Sequence, residues 1–400
     1  MQECAVGGTI IVVNITQVRS DAILVSRTAI KTLHLPRLDY ETASAWLNKS
    51  WTGRKTRRRE RPQKNKSYLE YLAWLWDVCT KPILDEIWCT HDGASGLPRV
   101  WWIGTGLGGS MPFHAAGVHL PGSTENAFSR AISSYTPSIK ALGYAQRRER
   151  LTGSVQGSLL IAAMPTTPAR ISQPDAHNLL DFPDVFGDTV ATMLTMPART
   201  LQPDARYLPD LPGVVEEKNE VMNVMKACMT VDALDLPSVD QVVDRLKYCR
   251  IAHFACHGYT DHWDPSNSGL IFQKQVEGQE VEQDRLTVHK ISELSLPHAY
   301  IAYLSACSTA ENSARGLSDE VIHVVSGFQV AGFPHVVGCL WPSFDRICAE
   351  VASRFYRSLQ RKTRWDGRTV ASALREAVMA VRETEIDMPL AWAQFVHDGA

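Results

Sequence analysis

The sequence predicts an α/β protein: a mainly parallel β-sheet with helices on both faces. Two observations carry that reading. Short apolar runs rich in β-branched residues recur along the 400 residues, and segments with helical spacing separate them, which is the rhythm of parallel strands joined by crossover helices. Composition agrees. Hydrophobic residues are 44% and charged residues 21%, unlike a disordered, collagen-like or disulfide-scaffold chain. At about 150 residues per domain the length suits two or three domains, and we divide the chain at 1–150 and 151–400.

The elements follow in order. "GTIIVVN" at 8–14 reads as a buried strand, with another around 22–25. Leu69, Leu72, Leu75 and Trp76 stand at helical spacing, and Pro82 interrupts that pattern and starts a second helix. "RVWWI" at 99–103 is a strand, "STENAFSRAISSY" a polar turn followed by a short helix, and "GSLLIAAMP" at 157–165 a strand. In the second half the spacing predicts helices over 214–228 and 239–248, and strands at "RIAHFAC" and "GLIF". A short helix at "LTVHKISEL" follows, then a strand at "YIAYLSA". "SDEVIHVVSGFQVAG" is a helix apolar nearly all round and so buried. "HVVGCLW" is a strand, Ile347, Val351, Phe355 and Leu359 mark one face of a helix, a last helix covers 368–383, and "WAQFVHD" closes as a strand.

Charge and cysteines bound the function. The formal charge of −2 argues against a nucleic-acid binder for the chain as a whole. The tract at 54–66, "RKTRRRERPQKNK", holds eight basic residues and leaves 33 basic against 42 acidic elsewhere. It reads as a solvated loop, with a nuclear-localisation or anionic-surface tract as the alternative. No run approaches about 18 apolar residues, and the start lacks a signal-peptide pattern, so neither a membrane span nor secretion is expected. Nine cysteines without any C-x-x-C pair suit free thiols in a reducing compartment, hence a cytoplasmic location.

"GTGLGG" at 104–109 fits G-x-G-x-x-G, but Pro112 follows at once and no acid-ended strand comes about 20 residues later, so a glycine-rich turn is the better reading and no cofactor is expected. The sharper signal is a pair of strand ends: "IAHFACHG" places His257 and Gly258 after one apolar run, and "IAYLSACST" places Cys307 after another. Carboxyl ends of parallel strands face the crevice where ligands bind. A cysteine thiolate attacks an amide carbonyl, and a nearby imidazolium lowers the thiol pKa and protonates the leaving amine. The N–H groups of Gly258 and Cys307 are the oxyanion donors of this reading. The bland alternatives are packing roles for both side chains, or a zinc site from His253, His257 and Cys307, for which no fourth ligand is evident. His253, Cys256, Cys339 and Cys348 read as core, tryptophans 74, 76, 88, 101 and 102 as core filling, and His262 as a loop residue.

At these residues the sequence resembles the CHAT family of caspase- and separase-like cysteine peptidases. "HFACHG" and "LSACST" are similar to its two catalytic motifs, "GFQVAGFPHVVGCLWPSFD" and "PLAWAQFVHDG" to its later blocks, and "VWWIGTGLGGSMPFHAAGVH" and "SSYTPSIKAL" to segments of fungal members. The 50-residue step from His257 to Cys307 is also a caspase spacing, although the local caspase cysteine pattern is absent. The resemblance implies a caspase-like sheet preceded by a degenerate α/β lobe, in which His114 has no evident thiol partner. It implies His257 as catalytic histidine, Cys307 as nucleophile, and Asp345 as an acid that selects a basic side chain in the substrate. The other reading of Asp345 is a helix N-cap. It further implies a protein substrate and a regulatory protein or TPR-like helical-repeat region as partner. The loops at 259–268 and 308–318 are polar, and the second contains glycine, which suits latency until a partner reshapes the pocket, and the chemistry needs no metal or organic cofactor. The rival reading is a catalytically idle signalling scaffold.

Overall fold

The computed structural model describes residues 1–49, 51, 60–93, 96–152, 157–168, 208–261, 263–275, 281–306, 324–341 and 344–400. Cys307, His262, the loop at 308–318, the first part of the helix expected at 318–332 and residues 54–59 of the basic tract lie outside them.

The chain opens with an antiparallel meander, β1 (Thr9–Ile15), β2 (Ser20–Val25) and β3 (Ile30–His34). The helices α1 (Tyr40–Leu47), α2 (Arg61–Leu75) and α3 (Lys81–Trp88) follow. Pro82 sits in the first turn of α3, where its missing N–H costs nothing, and a π turn at Trp76–Thr80 joins α2 to α3. Next come β4 (Arg99–Gly104), α4 (Ala127–Arg130), β5 (Ile132–Tyr135), α5 (Ile139–Leu151) and β6 (Ser158–Ala163).

The second half continues with α6 (Gly213–Met225), β7 (Thr230–Asp235), α7 (Val239–Leu246), β8 (Ile251–Ala255), β9 (Gly258–Tyr259), β10 (Gly269–Lys274) and β11 (Glu282–Thr287). After these come α8 (Val288–Ser292), β12 (Ile301–Ser305), α9 (Val324–Ala331), β13 (His335–Cys339), α10 (Asp345–Gln360), α11 (Gly367–Thr384), α12 (Pro389–Trp392) and β14 (Phe395–Gly399). Helix starts match their sequence: Ser238 and Gln241 form a reciprocal capping box on α7, and Asp366 caps α11.

Eleven strands form one sheet in the order β3-β2-β1-β4-β5-β14-β13-β12-β8-β6-β7. β1, β4, β5 and β14 run parallel, and so do β13, β12, β8, β6 and β7. The two blocks meet where β13 and β14 pair antiparallel. The last strand of the chain thus runs with the N-terminal strands, and the sheet passes unbroken across residue 150. Both faces are covered. The larger core joins one face to α2, α3, α6, α10 and α11, while a second core joins the other face to α7, α8 and α9. The strands between them read as continuous apolar runs because they are buried on both sides: β8, β12 and β13 have no exposed residue.

Two sequence expectations need correction or refinement. The short helix expected within "STENAFSRAISSY" is confined to α4, and the closing "ISSY" is β5, a strand between β4 and β14. "GTGLGG" runs from the end of β4 into a 3-10 turn at Gly106–Ser110, and a Cβ on Gly104 would fall 2.1 Å from the Gly108 carbonyl oxygen. The glycines serve that tight turn, and no α-helix N-terminus opens there to face a phosphate.

Candidate active site

β8 and β12 are neighbours. They pair in parallel from Ile301 with Ile251 to Ser305 with Ala255, so every residue of β12 lies beside the residue fifty earlier in sequence. Both strands end at the same edge of the sheet. His257 follows β8 there, and Ala306 is the last described residue after β12.

His257 is held from two sides. Its Nε2 lies 2.8 Å from the carbonyl oxygen of Pro209, in the segment that leads into α6. A carbonyl only accepts, so Nε2 donates, and in the neutral ring Nδ1 keeps the lone pair. The His257 carbonyl accepts from the Ile271 N–H at 2.9 Å, which fastens the backbone to a small antiparallel sheet of β9, β10 and β11. That bond makes the Gly258–Leu270 pair a non-hydrogen-bonded one, so the Gly258 N–H points away from β10. The imidazole itself is buried.

Beside these strand ends lies a narrow hollow. Leu211, Val214 and Glu217 line it from α6 and its approach, Ser305 and Ala306 from the end of β12, and Asp345 from α10. Asp345 is the first residue of α10, whose N-cap position is Phe344 without any side-chain capping bond, so the cap reading of Asp345 does not hold. α6 and α10 touch closely at this point: a Cβ on Gly213 would lie 2.5 Å from the Asp345 Cβ. Cys256, Cys339 and Cys348 border the hollow as well, the first two buried and the third packed against the core.

Deeper in, His253 is fully buried, with Nδ1 3.2 Å from the Tyr356 hydroxyl and its ring stacked on Tyr303 at 5.0 Å. Its Nε2 lies 3.1 Å from Glu217 Oε1. Burial pushes both tyrosine hydroxyls well above their ordinary pKa, so the phenols around this pair stay neutral. Among the described residues no cluster of three or more His, Cys, Asp and Glu has metal-binding geometry.

The sequence singled out His257, Gly258, Asp345 and Cys307. The first three are described: His257 and Gly258 close one strand end, and Asp345 stands on the wall of the adjoining hollow. Pro209 and Glu217 were missed. A backbone carbonyl 48 residues upstream leaves no trace in sequence, whereas Glu217 does: it is an acid at an inward position of the Val214–Val221–Val224 stripe. His114, in the N-terminal half, is buried, its Nδ1 2.8 Å from the Tyr135 hydroxyl and its pKa pushed down to about 3 by burial. The tryptophans behave as expected: 76, 101 and 102 are buried, and 74 and 88 pack against the core.

The fold has known counterparts. The Saccharomyces cerevisiae separase–securin complex superposes with a TM-score of 0.59 at 9% identity, covering 100% of this chain but only 30% of the separase chain. The Arg specific cysteine proteinase gingipain R (RgpB) of Porphyromonas gingivalis superposes with a TM-score of 0.50 at 10% identity, over 84% of this chain and 74% of that one. No curated protein gives a significant sequence match. At such identities the likeness is one of fold, a caspase-like α/β sheet flanked by helices. The sequence itself matches the CHAT domain over residues 69–400, the greater part of its length, and the chain belongs to the CHAT-domain family.

Proposed function

We propose that the chain is a cysteine endopeptidase that cleaves protein substrates through Cys307 and His257. The observation that carries this is the register of β8 and β12. Partners lie fifty residues apart in every pair, and Cys307 is fifty residues after His257. Each of the two residues thus follows, two positions on in sequence, the last pair of these adjacent parallel strands, and the carboxyl ends of parallel strands are where such sheets bind ligands.

The reaction follows from the groups. The Cys307 thiolate attacks the scissile carbonyl, and the oxyanion takes hydrogen bonds from the N–H groups of Gly258 and Cys307. With Nε2–H committed to the Pro209 carbonyl, Nδ1 of His257 is the nitrogen that handles protons. It protonates the departing amine, leaving a thioester, and then takes a proton from the water that hydrolyses the thioester. Pro209 is thus a positioning residue, acting through its backbone. Asp345, on the wall of the hollow, selects a basic P1 side chain, the one on the amino side of the cut bond.

The narrowness of the hollow supports a latent state that a regulatory protein widens. A protein partner suits a family whose separase counterpart is seen with securin. We read residues 1–150 as a degenerate lobe buttressing 151–400. Among the described residues no helix is long and apolar enough to cross a membrane, and we place the protein in the cytoplasm, with the nucleus as the alternative.

The test is covalent labelling of the chain with electrophilic peptides carrying Arg, Lys or Asp at P1. The expected result is labelling by the basic probes that is lost in Cys307→Ala and His257→Ala. Absence of labelling by all three, both for the chain alone and with the protein partner captured by Cys307→Ala added, would falsify the peptidase reading in favour of a scaffold.

A further inference from the structure

All eleven tryptophans of the chain are described, and ten of them are buried or half-buried. Trp263 is the exception, at 93% exposed. An exposed valine or leucine is ordinary on a protein surface, but an indole is the largest apolar side chain and is mostly covered in folded chains. Its place adds to its weight. Trp263 lies five residues after Gly258, in the segment that leaves the candidate site through β9 and returns through β10.

That segment is tied by its own side chains. At its base Tyr259 pairs with Gly269. Asp261 Oδ1 accepts from the N–H groups of Trp263 at 2.9 Å and Asp264 at 3.0 Å, and the Asp261 N–H donates to Ser268 Oγ at 2.9 Å. The Asp264 carboxylate accepts from the Ser266 N–H at 3.1 Å, the Ser266 hydroxyl at 2.6 Å and the Asn267 amide at 2.9 Å, and Pro265 is buried. The Trp263 backbone is therefore held while its ring stands in solvent. The other aromatic ring of the segment, Tyr259, is already covered, with the Arg285 guanidinium carbon 3.6 Å from its centre.

A bare indole on a tied backbone is well suited to binding: covering it takes apolar surface out of water, and little order remains to be lost. Reach says what covers it. Five residues of extended chain span at most about 17 Å. In the peptidase reading the scissile carbonyl sits at the Gly258 N–H, so the bound substrate lies within that distance of Trp263.

We infer that Trp263 is a substrate-docking residue, which takes a large apolar side chain of the protein substrate within about five residues of the cut bond. The inference rests on the peptidase reading of the site. Trp263 touches no reacting atom, and the contact it adds is shared by substrate and transition state.

The test is fluorescence-polarisation titration of the Cys307→Ala chain with dye-labelled peptides that carry Arg at P1 in a serine frame, a single phenylalanine being moved through the positions on either side. The expected result is that phenylalanine at one or two positions tightens binding about tenfold or more over the all-serine peptide. Adding Trp263→Ala removes that gain and leaves the all-serine affinity unchanged, while Trp263→Phe keeps part of it. Asp261→Ala, which frees the backbone and keeps the indole, loses part of it. Acrylamide quenching of the chain's fluorescence, which reads the one exposed indole, falls when the phenylalanine peptide binds.

A gain that survives Trp263→Ala, or the lack of any position at which phenylalanine tightens binding, overturns the inference. Trp263-dependent capture of a regulatory protein without a phenylalanine gain overturns it as well and gives the ring to that partner. Covalent labelling of the intact chain separates the two readings. Labelling at Cys307 with peptide binding indifferent to Trp263 leaves the peptidase standing and removes this assignment. A Trp263-dependent gain without any labelling removes the peptidase and leaves Trp263 as a peptide-docking side chain.

Discussion

Gly213 controls how closely α6 approaches α10, and through that contact the position of Asp345. A methyl group there would sit 2.5 Å from the Asp345 Cβ, an atom fixed to the helix backbone and unable to swing aside. Gly213→Ala is therefore expected to separate the two helix ends or displace Asp345. The cost is about 1–3 kcal/mol of overpacking, read as a lower urea midpoint, with weaker labelling by a P1 Arg probe in the protein that remains folded. Unchanged stability together with unchanged labelling would remove Gly213 from the account. At this scale the sequence was partly legible. His257 and Gly258 could be picked out because a polar or small residue just after an apolar strand breaks a visible pattern, whereas Asp345 was picked out only through the family resemblance. Glu217 breaks the stripe of a helix in the same way and was open to the same reasoning. Pro209 acts through its carbonyl, and nothing in a side chain announces which carbonyl will face a ring 48 residues later.

The elements that were read correctly from sequence are those whose burial writes a period. α10 is the clearest. Ile347, Val351, Phe355 and Leu359 fall on one face and all are buried. Phe355 supports the floor behind the hollow, with its ring 5.2 Å from Tyr303 and 5.1 Å from Tyr356. Phe355→Ala is expected to cost about 3–5 kcal/mol, measured by denaturant unfolding, since both tyrosines are fully buried and leave little room for collapse. A loss under about 1 kcal/mol would mean that α10 repacks freely and does not brace His253. The elements that went unread have no such period. β3 is exposed along most of its length and exists because β2 pairs with it. β5 is four residues, "ISSY", whose two serines suggest a turn, yet Ser134 is fully buried and accepts a 2.6 Å hydrogen bond from Arg99. β7 and β11 are mostly half-buried, and β9 has two residues. Such strands are specified by neighbours distant in sequence rather than by their own composition.

Across the whole molecule, three buried histidines are kept neutral, His397 at the seam where the two parallel blocks meet and His114 and His119 elsewhere, and this sets how stability depends on pH. The His397 ring stacks on His335 at 5.4 Å, and its Nδ1 bonds to Ser134 of β5. Burial first, and then the neighbouring Arg99 guanidinium, hold its pKa well below the usual 6.5. His119 is lowered to about 3 by burial and by Arg382, which donates to its Nδ1 at 2.7 Å while Nε2 donates to the Ala115 carbonyl, so neither nitrogen has room for another proton. His114 is lowered to about 3 by burial. In the unfolded chain all three gain protons near pH 6.5, before the folded protein does. Their contribution is therefore intact above that pH and is lost on going down towards 3, at up to about 1.4 kcal/mol per pH unit for each histidine. Asp398, next to His397 on β14, works in the opposite sense. Burial raises its pKa from 3.8 to about 7, so the unfolded chain loses this proton first and stability falls as pH rises from about 4 to 7. Three histidines outweigh one aspartate below pH 6.5, and the net expectation is a steep loss of stability on acidification, measured as urea midpoints from pH 7.5 to 4.5. Asp398→Asn removes the opposing slope. The variant should be more stable than the parent chain at pH 7.5, and the gap should close towards pH 4.5. A gap that is constant with pH would show that Asp398 is not held protonated at the seam, and a flat acid limb in the parent chain would show the same for its histidines.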